Sequence, residues 1–168
     1  MRTATVVTNS NSERAHWVLL AYRLPREPST PRIAVWRKLR RLGAAQLVDG
    51  LVALPLDSRN REQFEWLASE IAEANGETTI WTGELTSAAQ ERQLVATMQA
   101  AIAAEYLRVF EQASQVRDHA PGSRRRSLAR LRRELRRIRS RDYFPPPERE
   151  QARQAVEALA ALVEDPVS

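Results

Sequence analysis

The sequence predicts an α+β fold, in which a ferredoxin-like βαββαβ domain is followed by an α-helical C-terminal region. Three observations indicate this arrangement. Apolar runs and helical spacings alternate in the order strand, helix, strand, strand, helix, strand within residues 15–85. After residue 85 the apolar residues recur only at helical spacing. The composition, 43% hydrophobic and 28% charged, is typical of a folded chain rather than a disordered one.

Prolines and glycines mark the first strand and helix. An apolar and aromatic run at residues 16–24 predicts a buried strand, which Pro25 stops. A helix follows, because Ser29 or Thr30 offers an N-cap and Pro31 suits the first turn. Gly43 ends this helix. Its apolar residues recur at helical spacing: Ile33, Val35, Trp36, Leu39 and Leu42.

A hairpin, a second helix and a fourth strand complete the predicted domain. Strands at residues 45–48 and 51–56 are joined by Asp49-Gly50, a pair that suits a tight turn. Asp57 or Ser58 caps the second helix, and residues 78–82 form the last strand. Both helices would lie on one face of an antiparallel sheet. Dimerisation or the C-terminal helices would then cover the other face.

Three helices are predicted after residue 85. The first runs from Ser87 to about Val116, and Pro121-Gly122 breaks it. The second, residues 123–141, has a narrow apolar seam, and the triple proline at residues 145–147 opens the third. We therefore divide the chain into a flexible N-terminus (1–14), a ferredoxin-like domain (15–85) and a helical region (86–168). The seam consists of Leu128, Leu131, Leu135 and Ile138.

The second of these helices carries most of the positive charge. Residues 124–141 hold ten arginines against one acid, Glu134, whereas the whole chain has a net charge of +5. Arginines surround three sides of the helix, so the seam can pack on the protein while guanidinium groups face outward. This arrangement favours binding of a polyanion, and duplex DNA is the commonest such partner. The candidate nucleic-acid-binding residues are Arg124, Arg125, Arg126, Arg130, Arg132, Arg133, Arg136, Arg137, Arg139 and Arg141.

The alternative is a solvated helix whose charge is partly neutralised by acids of a neighbouring helix. The acids that could do so are Glu148, Glu150, Glu157 and Glu164.

The sequence does not indicate an enzyme. It has no cysteine, two histidines (His16 and His119), and five glycines that form no phosphate-binding loop. We therefore expect no catalytic residue, metal or cofactor. Apolar runs do not exceed six residues, and the polar N-terminus lacks a signal-peptide core, so we expect a cytoplasmic protein without membrane contact. The four tryptophans fall at inward positions of predicted elements and are expected in the core: Trp17, Trp36, Trp66 and Trp81.

Residues 17–82 resemble the N-terminal domain of the ChrB family, regulators of bacterial chromate-resistance operons. The resemblance covers about 40% of the chain. It is carried by an ordered series of short segments: Trp17-Val-Leu-Leu-Ala-Tyr22-Arg-Leu-Pro25, Pro28-Ser29, Pro31-Arg32, Val35-Trp36-Arg37-Lys38-Leu39, Leu42-Gly43-Ala44, Leu47 to Gly50, Leu54-Pro55, Asn60-Arg61-Glu62, Phe64-Glu65-Trp66-Leu67-Ala68 and Ile71.

The resemblance implies a transcriptional regulator. More distantly, this half is similar to the domain shared by PaaX-type repressors and small CRISPR adaptation nucleases. Those nucleases have a metal-binding Asp at the end of the first strand, where this chain has Tyr22-Arg23, which disfavours nuclease chemistry. ChrB proteins usually continue into a second domain associated with chromate sensing, whereas this sequence ends at Ser168. That function is therefore not transferred to residues of this chain.

Two functions stay open from the sequence. The first is a non-enzymatic DNA-binding regulator of the chromate-resistance type, a homodimer through its ferredoxin-like half, that binds phosphates with the Arg-rich helix. The second is a protein–protein interaction module whose basic helix docks an acidic partner or a separate sensing protein.

Overall fold

The protein is a mixed α and β structure with a four-stranded antiparallel sheet and five α-helices, in a computed structural model that describes residues 15–164. The predicted flexible N-terminus, residues 1–14, lies outside that range. The elements are β1 (Trp17–Arg23), α1 (Thr30–Leu42), β2 (Ala45–Val48), β3 (Leu51–Pro55), α2 (Ser58–Glu73), β4 (Glu77–Gly83), α3 (Ala88–Gln115), a 3-10 turn (Val116–Asp118), α4 (Pro121–Arg139) and α5 (Glu148–Glu164).

The sheet has the strand order β2-β3-β1-β4. The central strand β1 is antiparallel to both neighbours, with Leu20 opposite Val52 on one side and Ile80 on the other. Because side chains alternate along a strand, Val18 and Leu20 share the face that α1 and α2 cover. The first core lies there, and its buried residues are Val18, Leu20, Val35, Leu39, Val52, Leu54, Phe64, Leu67 and Ile71.

Most local capping signals are confirmed. Ser29 stands at the N-cap position of α1 but makes no side-chain hydrogen bond to the helix. Gly43 ends α1 in the left-handed conformation with φ 73°, and its N–H bonds to carbonyls of the last turn. In the β2–β3 turn Gly50 has φ 75°. At the start of α2 the Asp57 carboxylate accepts a hydrogen bond of 2.6 Å from the backbone N–H of Asn60. The element boundaries in this half therefore follow from short-range backbone chemistry.

Helices α3, α4 and α5 share a second core. The predicted apolar seam of α4 is confirmed, since its four residues are at most 8% exposed. Helix α4 begins at Pro121 and ends at Arg139, two residues earlier at each end than predicted. The core residues are Ile102, Tyr106, Val109, Ala113, Val116, Leu128, Leu131, Leu135, Ile138, Ala152, Val156, Leu159 and Ala160.

The loop between α4 and α5 contacts the sheet-containing half. The Tyr143 hydroxyl lies 2.7 Å from the carbonyl oxygen of Leu42 and 3.2 Å from Oδ1 of Asn60. Burial raises the pKa of Tyr143. The Phe144 ring lies 6.1 Å from that of Trp17. These contacts place the C-terminal end of α4 close to the C-terminal end of α1.

The prediction of four core tryptophans is wrong for three of them. Trp17 is buried at 1% exposure, but Trp36, Trp66 and Trp81 are 52%, 64% and 61% exposed. Each exposed tryptophan directly adjoins a more buried residue, so it points away from the core: Val35 beside Trp36, Leu67 beside Trp66 and Ile80 beside Trp81.

The sheet face opposite α1 and α2 is covered at one end. There Trp17 Nε1 donates a 3.1 Å hydrogen bond to Glu91 of α3. Trp81 lies on the same face and is exposed. The C-terminal helices therefore cover part of this sheet face, which is one of the two alternatives expected from the sequence.

Candidate nucleic-acid interface

Helix α4 packs against the rest of the helical region through its apolar seam. Leu131 and Ile138 are fully buried, and they lie between α3 and α5 in the second core. Seven residues separate them, which is two turns of helix, so the seam orients the whole length of α4. The remaining sides of the helix are consequently presented outward in a defined geometry.

Eight of the ten predicted arginines are exposed on α4. They fall into two rows at helical spacing, which run along adjacent sides of the helix away from the seam. The first row is Arg126, Arg130, Arg133 and Arg137, and the second is Arg125, Arg132, Arg136 and Arg139.

The other two predicted arginines are less exposed. Arg124 lies in line with the seam and its Nη1 donates to the carbonyl of Arg117 at 3.5 Å. Arg141 follows the helix and forms a bidentate ion pair with Glu105 of α3, in which the Nη2–Oε2 distance is 2.6 Å. The hydrogen bonds to Glu105 raise the pKa of Arg141. Arg141 therefore has a structural partner inside the protein.

Neutralisation of α4 by α5 is limited to one ion pair within residues 15–164. Glu164 lies 3.7 Å from Arg132, and both side chains are at least half exposed. Glu150 and Glu157 instead bind Arg153 of their own helix. On α4 itself, Glu134 lies 3.7 Å from Arg137. Exposed pairs at such distances contribute little, typically below about 1 kcal/mol.

Six exposed arginines of α4 have no ion-pair partner in the described part of the chain. Of these, Arg130 donates a hydrogen bond to Gln112, and the charge of Arg139 interacts with Glu150. We call the other four the unpaired quartet. The outermost members are 11 residues apart, so the quartet extends about 16 Å along the helix axis. Arginines placed along such a line can bind neighbouring phosphates, and two donors of each guanidinium group can contact one phosphate. The quartet is Arg125, Arg126, Arg133 and Arg136.

The loop after α4 carries a buried polar cluster. The Tyr106 hydroxyl donates a 2.8 Å hydrogen bond to Oδ2 of Asp142, and Arg149 lies 3.5 Å from the same oxygen. Burial and this bond raise the pKa of Tyr106. The cluster anchors the end of α4 to α3 and α5.

Sequence reasoning missed a second basic surface, on α1. This helix carries five cations and no acid. The Arg40 guanidinium lies 5.0 Å from the ring centroid of exposed Trp36. Lys38 pairs with Glu70 of α2. The absence of acidic residues from α1 could have indicated this surface from the sequence. The charge-based prediction instead concerned α4, where arginines are denser.

Within residues 15–164, no group of three histidine, aspartate or glutamate side chains is arranged to hold a metal ion. No helix in that range is both long and apolar enough to cross a membrane.

A known family and a curated relative match this chain. The family described as "Protein ChrB, N-terminal" matches residues 32–119, a range that ends just before α4. A protein named "Protein ChrB" from Cupriavidus metallidurans is 30% identical over 139 residues. That alignment covers 80% of this chain and 42% of the relative, so the chain spans less than half of that protein's length. No solved structure matches the chain.

Proposed function

Because the chain belongs to the ChrB family, through its N-terminal-type domain, we propose that it is a non-enzymatic, DNA-binding transcriptional regulator of the chromate-resistance type. In this proposal α4 binds the phosphates of duplex DNA. The observation that carries it is the unpaired quartet, held outward by the buried seam. Unpaired guanidinium groups release condensed counterions from DNA on binding, which is favourable and depends on salt.

We assign the first half of the chain to the ferredoxin-like class. The observed strand order, when numbered from its other edge, is β4-β1-β3-β2, with both neighbours of β1 antiparallel to it. The element order βαββαβ in residues 17–83 supports the same assignment. The domain boundary near residue 85 is supported by the two separate cores on either side of it.

The phosphate-binding role has a quantitative test. Anisotropy titrations of labelled duplex DNA from the region upstream of the chain's own coding sequence would be measured at several salt concentrations. Each phosphate contact contributes about −0.9 to the slope of log affinity against log salt. Substitution of the unpaired quartet by glutamine is therefore expected to reduce that slope by about 3.6.

A matched control removes four arginines distant from α4 in sequence and so lowers the net charge equally. It carries glutamine at Arg23, Arg26, Arg61 and Arg92. We expect this variant to keep the slope of the wild type. Equal losses in both variants, or no binding by the wild type near ~0.15 M salt, would refute the proposal. Binding to an acidic protein without binding to DNA would instead favour the interaction module.

We also propose that two copies associate through the sheet face opposite α1 and α2. Trp81 supports this, because a large aromatic side chain that is 61% exposed on an open sheet face is typical of a contact surface. Light scattering of the wild type and of Trp81→Ser would test it. A dimeric wild type and a monomeric variant are expected, and a monomeric wild type would refute this association.

A further inference from the structure

A basic cleft forms where the two halves of the protein meet. It has a volume of about 740 Å³ and lies between the C-terminal end of α1, the middle of α3 and the C-terminal end of α4. Four arginines line it, together with Ser140 and the ion pair of Arg141 with Glu105. We call it the arginine cleft, and the four residues are Arg40, Arg41, Arg108 and Arg137.

The charge of this cleft is not balanced from within. Glu105 is the acid in its lining, and both oxygens of its carboxylate are bound by Arg141. Each side chain of this pair is about 80% buried, so salt screens the pair much less than it screens an exposed one. The carboxylate is thereby committed to Arg141 and forms no ion pair with the other four arginines of the lining.

Three of these arginines have no ion-pair partner among residues 15–164, namely Arg40, Arg41 and Arg108. Arg137 has only the exposed contact with Glu134 at 3.7 Å, and Arg40 lies over the Trp36 ring. The cations come from helices distant in sequence, so their approach is imposed by the tertiary fold. Like charges gathered in a concave surface raise the local concentration of anions.

We propose that the arginine cleft binds a phosphate group. Guanidinium groups arrive from three directions, and each can donate two hydrogen bonds to one tetrahedral oxyanion. The Ser140 hydroxyl lies in the same lining and can add a further donor. The phosphate comes either from the DNA backbone, in which case this site rests on the proposed function, or from a free anion.

Isothermal titration with inorganic phosphate would test the site, with ionic strength held constant by chloride. The double substitution Arg41→Gln and Arg108→Gln is expected to weaken phosphate binding at least tenfold. The control is Arg26→Gln with Arg92→Gln. Arg92 is exposed on the same helix as Arg108 and lies about 24 Å from it along the axis. Equal phosphate affinity in the two variants, or no phosphate binding by the wild type, would overturn the proposal.

The DNA titration separates the two sources of phosphate. A salt slope reduced by about 1 to 2 in the cleft variant identifies a phosphate of the DNA backbone. An unchanged slope, together with lost binding of inorganic phosphate, identifies a free anion. The unpaired quartet does not line the cleft. If the quartet variant keeps full DNA affinity, the proposed function fails while the phosphate result stands.

Discussion

Replacement of Arg133 by glutamine is expected to stabilise the protein in the absence of DNA. Arg133 is exposed on α4, with Arg130, Arg136 and Arg137 three or four positions away. Like charges at these spacings destabilise a helix by about 0.2–0.5 kcal/mol per pair. Arginine and glutamine have similar helix propensities. The substitution relieves three pairs, so the free energy of unfolding should rise by about 1 kcal/mol.

Arg125 provides the matched control for this substitution. It is exposed on the same helix, but the residues three and four positions away are Pro121, Gly122, Leu128 and Ala129, none of them charged. Arg125→Gln lowers the net charge by the same amount without relieving a like-charge pair. Its free energy of unfolding should therefore stay close to that of the wild type.

The assay is thermal and urea unfolding, followed by circular dichroism, at low and high salt. A gain of 1 kcal/mol corresponds to a rise in Tm of roughly 2–4 °C for a chain of this size. In ~1 M salt the Debye length falls to about 3 Å, so the difference between the variants should vanish. Equal stabilisation by both substitutions, or a difference that persists in ~1 M salt, would show that local like-charge repulsion is not the cause.

Other substitutions test the packing that positions α4. Leu131→Ala is expected to lower the free energy of unfolding by about 2–5 kcal/mol, because Leu131 is fully buried. A loss below about 1 kcal/mol in urea unfolding would contradict its place in the seam. Tyr106→Phe should lower it by about 1–3 kcal/mol, since Asp142 loses a donor while its other oxygen is already buried without a partner. Gly43→Ala should lower the free energy of unfolding by at least about 1 kcal/mol, because φ at this position is 73° and a Cβ would lie 2.9 Å from Cβ of Arg141. An unchanged Tm would contradict this prediction.

Helix ends and apolar stripes were predictable because they depend on residues close in sequence. Asp57 caps α2 through an N–H only three residues away, and Gly43 closes α1 through carbonyls of its own last turn. The seam of α4 was predictable in the same way, since the spacing of Leu128 and Leu131 already places them on one side of a helix.

The tryptophans show where sequence periodicity is insufficient. Trp36 and Val35 differ by only 100° around α1, and an apolar stripe of that width includes both. The packing of α1 and α2 on the sheet buries Val35 and leaves Trp36 exposed. The direction in which a helix meets its neighbours is a property of the assembled fold, and sequence spacing does not contain it.

The sequence by itself determined the number of arginines near residue 130, their arrangement around one helix and the seam that holds that helix. The number is read directly from the sequence, and the arrangement and the seam follow from helical periodicity. Only the tertiary structure decided which arginines have an ion-pair partner. Arg141 is paired by Glu105, 36 residues earlier, and the arginine cleft joins α1 to α4 across almost 100 residues. The interaction of two charges depends on their distance in space, which the fold sets and the local sequence does not.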